Sequence, residues 1–281
     1  MTVRMIFVCI FIGLLVLVSI FVLYDRVVKK SPLSILEHLD FARTDHVYVL
    51  INSHNKSKVA LEWLLRSVYG KTNDSNLRIL IVVGGAPNTT IYEETERNES
   101  GPRVYRCYVK HNSIDFTGML ALIEYREEIN KLMGEMPDRW FYMHDTCELE
   151  DYERFANRFK ETTKTTRLLT TQPSMNMGIY THKDILKSRE LIMEHRSTNN
   201  PNTEEINELK RTAVVDEDAV FKALQIGESM SGVDTLNERF SYPGSTVERI
   251  IEVYRDVGLK KYKANHAPSR KYVLENFWMS S

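Results

Sequence analysis

The chain has 281 residues, 43% of them apolar and 27% charged, which is enough for one well-filled core, and its formal net charge is -1 from 37 basic and 38 acidic residues. The charges are mixed along the chain with no long basic run, so an electrostatic footprint for nucleic acid is excluded. The 3 cysteines, Cys9, Cys107 and Cys147, form no Cys-x-x-Cys pair, which excludes a disulfide framework and a structural zinc pattern, and Cys107 and Cys147 read as core thiols.

The first element is an expected membrane span. Residues 5–24 carry no charge and are dominated by Ile, Leu, Val and Phe, matching the ~20 residues a helix needs to cross the hydrocarbon core. The apolar run continues into Phe21-Val22-Leu23-Tyr24 without a small-residue cleavage site, which favours an uncleaved anchor over a signal peptide. Residues 1–28 are therefore an N-terminal stub and anchor, 29–43 a short stem, and 44–281 a single catalytic-sized domain. Two signals for sidedness oppose each other. Arg26, Lys29 and Lys30 after the span outnumber Arg4 before it and lean to the cytoplasmic face, whereas acceptor patterns at Asn55, Asn73, Asn88 and Asn98 lean to an ER or Golgi lumen. Both readings stay open.

Beyond the stem, apolar and β-branched runs alternate with helical patterns. Strands are expected over 46–52, 77–83, 103–109, 139–144 and 166–171. Ser57 can cap a helix with Ala60, Leu61, Leu64, Leu65 and Val68 on one face, closed by Gly70; Asp115 can cap a longer one through Leu120, Leu122, Ile123 and Ile129, closed by Gly134. Further helices are expected over 148–161, 183–196, 203–211, 216–226 and 246–257, the last opening on the capping-box pattern Ser245-Thr246-Val247-Glu248. Such alternation implies parallel βαβ units and an α/β architecture.

In an open parallel sheet, ligands bind beyond the carboxyl ends of the strands. The stretch Trp140-Phe141-Tyr142-Met143-His144-Asp145-Thr146-Cys147-Glu148 ends a buried strand in polar groups, so Asp145 and Glu148 are candidate ligands for a hard divalent ion. A first strand entering Leu50-Ile51-Asn52-Ser53, a second closing on Val83-Gly84-Gly85, and a mid-chain strand ending in an aspartate, all behind an N-terminal anchor, resemble the GT-A class of nucleotide-sugar glycosyltransferases. The signature of that class is Asp-x-Asp at the end of an apolar strand; here only one aspartate matches, and His144 or Cys147 takes the other place, depending on register. His111-Asn112-Ser113-Ile114-Asp115-Phe116-Thr117-Gly118 is similar to the class's polar, glycine-containing entry into a donor-binding helix, and Asn176-Met177-Gly178-Ile179-Tyr180 to its pocket-lining segment. Val214-Val215-Asp216-Glu217-Asp218 resembles the Glu-Asp motif of inverting members, and His266 in Lys263-Ala264-Asn265-His266 a late metal- or diphosphate-binding histidine.

The resemblance implies a GT-A (Rossmann-like) mixed, mostly parallel sheet flanked by helices, and metal-assisted transfer of a sugar, a UDP-sugar foremost, to a glycan or glycoprotein hydroxyl. It implies Mn²⁺ or Mg²⁺ on Asp145, Glu148 and His266, catalysis by Asp218 and Glu217, and donor contacts from Ile51, Asn52, Ser53, Gly84, Asn112, Asp115, Gly118, His144 and Lys263. The chemistry is consistent: a cation neutralises the departing diphosphate, and a carboxylate accepts the proton of the attacking hydroxyl. The alternative, motivated by the incomplete carboxylate pair, is a catalytically silent anchored domain that binds glycan or protein.

Overall fold

The computed structural model describes residues 45–94, 101–171, 175–241 and 249–264, all within one unit, Phe41–Ser281. The expected membrane span, the stem and Asn98 lie outside the described residues, and among the described residues no helix is long and apolar enough to cross a membrane.

Seven strands form the main sheet: β1 (Val47–His54), β2 (Leu77–Gly84), β3 (Thr90–Glu93), β4 (Arg103–Tyr108), β5 (Arg139–His144), β7 (Thr166–Arg167) and β8 (Gly178–Thr181), in the order β3-β4-β2-β1-β5-β8-β7. The four central strands, β4, β2, β1 and β5, pair in parallel. Pairing turns antiparallel at both edges, at β3–β4 and through β8. The expected α/β class with a mixed, helix-flanked sheet is thus present, with parallel pairing confined to its centre.

The central strands read as unbroken apolar runs because both faces are covered. Val49, Ile51 and Met143 face Leu64 and Val68 of α1 (Lys58–Lys71) and Phe155 of α4 (Tyr152–Glu161). The other face lies under α2 (Thr117–Glu124), whose Gly118 abuts the Tyr142 ring. The single helix expected from Asp115 to Gly134 breaks at Tyr125, and α3 (Arg126–Met133) follows, closed by Gly134 in the left-handed region at φ 78°.

A second sheet, absent from the sequence expectation, joins β6 (Cys147–Leu149), β11 (Leu259–Ala264), β10 (Arg249–Tyr254) and β9 (Asp234–Phe240) in antiparallel order β6-β11-β10-β9. It corrects two expected helices. The segment 246–257 contains β10, because Ile251 and Val253 alternate with Glu252 and Tyr254 and bury against Ala60 of α1, a period of two that overrides the helical spacing. Ser245 to Glu248, the expected capping box, lie outside the described residues. Glu148 likewise begins no helix: it sits in β6, and the helix opens after Asp151, whose carboxylate accepts from the Arg154 amide at 3.0 Å.

Other boundaries also move. The strand expected over 166–171 pairs only at Thr166–Arg167, and α1 runs through Gly70 to Lys71, with Thr72 as cap. Residues 183–196 break at Ser188 into α5 (His182–Lys187) and α6 (Arg189–Glu194). Helix α7 (Thr203–Asp216) is longer than expected, started by a capping box between Asn202 and Glu205, and α8 is only Ala219–Ala223. The break between α7 and α8 is the turn that carries Glu217 and Asp218.

Candidate functional site

Strand β1 pairs in parallel with β2 on one side and β5 on the other, so the strand order switches between β1 and β5, and their carboxyl ends lie where open α/β sheets bind ligands. Asn52 and His144 are register partners there, and partners in a ladder point to the same face. Their neighbours Ser53 and Asp145 point to the other face and bind each other, Ser53 Oγ donating to Asp145 at 2.8 Å. This one-residue parity sorts the polar strand ends into two groups.

Asn52 holds the loop that follows β4. Its Nδ2 donates to the Ile114 carbonyl at 2.9 Å, and its Oδ1 accepts from the Gly118 amide at 2.8 Å. Between them lies a short 3-10 turn, Ile114–Phe116, in which Ile114 has φ 52°. A β-branched residue in the left-handed region costs roughly 1–3 kcal/mol and persists only where its surroundings over-determine it. Here Thr117 Oγ1 also donates to the Ile114 carbonyl at 3.1 Å, and the Ile114 amide donates to Asn112 Oδ1 at 3.3 Å. The twisted turn, rather than a helix cap, places Asp115. Two glycines allow the close packing: a Cβ on Gly118 would lie 2.9 Å from Tyr142 Cε2, and one on Gly84 would lie 3.0 Å from Thr117 Cγ2.

Asp115, His144 and Glu217 come together, with their ligand-type atoms all within 4.8 Å of one another. His144 Nε2 is 3.7 Å from Asp115 Oδ1 and 4.0 Å from Glu217 Oε1. Burial, reinforced by the neighbouring Asp115 carboxylate, pushes the Glu217 carboxyl up to about 8. Burial, then the charge of Lys261, holds His144 well below the usual imidazole range, so the ring is neutral. Lys210, from α7, is buried and brought down to about 8 by desolvation, with Asp115 and Glu217 acting the other way; burial also lowers Lys263.

The hydrogen bonds fix the histidine tautomer. Asn176 Nδ2 donates to the Asp115 carbonyl at 2.6 Å, which turns Asn176 Oδ1 toward His144 Nε2 at 2.7 Å. An amide oxygen only accepts, so Nε2 carries the proton. On the other side of the ring, Lys261 Nζ donates to Nδ1 at 3.0 Å and to Thr146 Oγ1 at 2.6 Å. A single ion with bonds of about 2.1 Å would match the spacing of the three groups, but the lone pair it needs at Nε2 is replaced by an N–H. As wired, this donor set does not fit an ion held by all three.

The expected site residues divide accordingly. The structure brings together Asn52, Asp115, Gly118, His144 and Glu217, with Lys263 nearby, its Nζ donating to Thr170 Oγ1 at 2.9 Å. It does not bring Asp145 and Glu148 into that group. Asp145 is 6% exposed, with its carboxyl raised by burial against the hydroxyls of Ser57 and Ser53, and Glu148 accepts from the Tyr262 hydroxyl. His266 lies outside the described residues. Asp218 turns away to Lys222, at 2.8 Å, leaving Glu217 as the acid of that pair in the cluster. Ile51 is core, and Asn112 braces the Ile114 turn. Residues not anticipated are Tyr142, whose hydroxyl donates to the Asp115 carbonyl at 2.7 Å, together with Asn176, Lys210 and Lys261. Tyr142 and Asn176 stood in stretches the sequence had singled out, whereas Lys210 and Lys261 did not.

A second arrangement has the outline of a nucleophile triad: Ser113 Oγ is 3.3 Å from His111 Nδ1, and His111 Nε2 is 3.5 Å from Glu124. Its chemistry is that of a clamp. Ser113 is 2% exposed and its hydroxyl accepts from the Ser197 amide at 2.9 Å, while Glu124 pairs with Arg196, so the group ties the loop of Asp115 to residues 196–197. No protein-family model matches this sequence, and no curated protein matches it.

Proposed function

We propose that the chain is a GT-A-type glycosyltransferase, held at a membrane through residues 5–24, that moves a sugar from a nucleotide-diphosphate donor, a UDP-sugar foremost, to a glycan hydroxyl. The supporting observation is the meeting of Asp115, His144 and Glu217 above the carboxyl ends of β1 and β5, where open α/β sheets bind ligands. Transfer needs a base for the acceptor hydroxyl and a counter-charge for the departing diphosphate. Glu217 suits the first role, since a carboxyl at about 8 has the basicity for proton transfer near neutral pH. Its carboxylate takes the hydroxyl proton as the new bond to the anomeric carbon forms and the bond to the diphosphate breaks. Asp218, the base expected from the sequence, is engaged with Lys222. A single base on the side of the anomeric carbon opposite the leaving group is the arrangement for inversion. Neutral His144 and Asn176 hold the Asp115 loop in place and carry no proton in this step.

The test is UDP release from a panel of UDP-sugars by the full chain in detergent. Glu217→Gln is expected to lower the rate by about 10²–10⁴-fold, the usual contribution of a general base, while UDP binding persists. If no donor in the panel is turned over, the reading fails and a silent binding domain takes its place; if donors are turned over but the variant keeps the parent rate, Glu217 is not the base.

A further inference from the structure

The GT-A resemblance expects a cation at the end of β5, held by Asp145 with Glu148 and His266. The register of β5, which ends at His144, sends Asp145 to Ser53 on the other face, and the turn that follows brings Thr146 to the side of His144, so these two side chains are the ones selected for the site. Both selected side chains meet one group. Lys261 Nζ lies 3.0 Å from His144 Nδ1 and 2.6 Å from Thr146 Oγ1, and Lys261 is 6% exposed.

We propose that the Lys261 ammonium stands where a divalent ion is expected, and that Lys261, Lys210 and Lys263 receive a diphosphate-bearing ligand without a resident metal. Three observations carry this. The first is that His144 is wired against ligation: Nε2–H is committed to Asn176, whose orientation is pinned by the Asp115 carbonyl, and Nδ1 is committed to Lys261. Freeing Nε2 would move the proton to Nδ1, face to face with an ammonium group that has only donors to offer. The second is that the lysines come from two elements, α7 and β11, onto one place, each within electrostatic reach of Glu217 or His144. Lys210 and Lys261 are buried, which is rare for lysine unless a charge partner or ligand is at hand. The third is the charge balance. Around Lys210, Lys261, Lys263 and nearby Arg249 stand the acids Asp115, Glu217, Asp145 and Glu252, Asp145 within reach of Lys261 and Arg249 and Glu252 within reach of Lys263, so cations and acids are matched four to four. Matched charge leaves no surplus of carboxylate to hold a dication, while each lysine remains a point-charge partner for a phosphoryl group.

This inference rests on the donor class proposed above, and its test separates the two. The full chain is titrated calorimetrically with inorganic pyrophosphate and with UDP, each in EDTA and in Mn²⁺, and Mn²⁺ alone is followed by the loss of its free-ion EPR signal. Both anions are expected to bind in EDTA with affinity within about threefold of that in Mn²⁺, and Lys261→Met to weaken binding about tenfold or more. Lys263→Met, at a partly exposed position, is expected to weaken it as well and guards against misfolding at the buried one. Anion binding that appears only with Mn²⁺, or uptake of one Mn²⁺ per chain in the absence of anion, overturns the proposal. If both anions bind in EDTA yet no nucleotide sugar is turned over, the inference stands and the transferase reading falls. If turnover and UDP binding both require Mn²⁺, the transferase reading stands and this inference falls.

Discussion

Replacing Glu217 by Gln keeps the size of the side chain and removes its charge, so its effect on stability reports the burial of that carboxyl directly. In the folded chain the group titrates at about 8, against an ordinary 4.5. The folded state therefore holds the proton more tightly than the unfolded chain, and stability falls as pH rises from the unfolded value through the folded one. Each unit of pH inside that window costs ~1.4 kcal/mol, and integration from about pH 6 to about pH 9 gives a loss of about 2–3 kcal/mol. Glu217→Gln lacks this loss, so the variant is expected to be the more stable protein at alkaline pH. Other groups titrate too. Lys210, lowered to about 8, contributes the opposite slope above that value, and depressed His144 matters only as pH falls below the usual imidazole range. His144 is common to the two proteins and cancels in the difference, whereas Lys210, which the Glu217 charge raises, moves lower in the variant, so the difference reports Glu217 together with its lysine neighbour. The assay is urea denaturation of parent and variant, side by side, at half-unit steps of pH. If the two curves run parallel from about pH 6 to about pH 9, Glu217 does not carry a raised carboxyl and the argument for it as a base fails with it.

Asn52→Leu removes both hydrogen bonds that straddle the Ile114 turn, leaving the Ile114 carbonyl and Gly118 amide short of a partner, and is expected to cost about 2–4 kcal/mol in urea denaturation; a cost below about 0.5 kcal/mol would mean that the turn is held by something else. Gly118→Ala sets a methyl 2.9 Å from the Tyr142 ring, so a loss of about 1–3 kcal/mol is expected in thermal melts, and an unchanged melting temperature would contradict the close approach. Asp145→Asn is expected to leave UDP release per folded molecule within about threefold of the parent, because Asp145 binds Ser53 on the opposite face of β5; a loss like that of Glu217→Gln would return Asp145 to the site. Deleting residues 1–28 is expected to release the protein from membrane pellets on alkaline washing, and retention would place the anchor elsewhere.

Much of the fold was legible in the chain. The central strands announced themselves because a parallel strand covered on both faces is apolar throughout, and α1 because Ala60, Leu61, Leu64, Leu65 and Val68 repeat at the helical period. The second sheet was hidden. Strand β10 alternates Ile251 and Val253 with Glu252 and Tyr254, but Glu252 is a buried acid whose partners, Thr170 and Thr171, lie far away in sequence, so its segment reads as an amphipathic helix until they are brought to it. The break at Ser188 and the short pairing of Thr166–Arg167 were likewise decided by neighbours rather than by propensity.

For the candidate site, the chain by itself determined where to look: an apolar strand ending in His144-Asp145-Thr146, a polar loop at Asp115, and two acids at Glu217 and Asp218. It did not determine which of each pair joins the cluster. That choice belongs to the tertiary structure, because side chains on a strand alternate faces and a shift of one residue exchanges them. The pairing of Asn52 with His144 turned Asp145 away, the turn after α7 gave Glu217 to the cluster and Asp218 to Lys222, and β11 supplied Lys261 from 117 residues downstream of His144. Composition and periodicity carry the information for burial, which is local. The charge balance of a site depends on groups that meet only when distant segments pack.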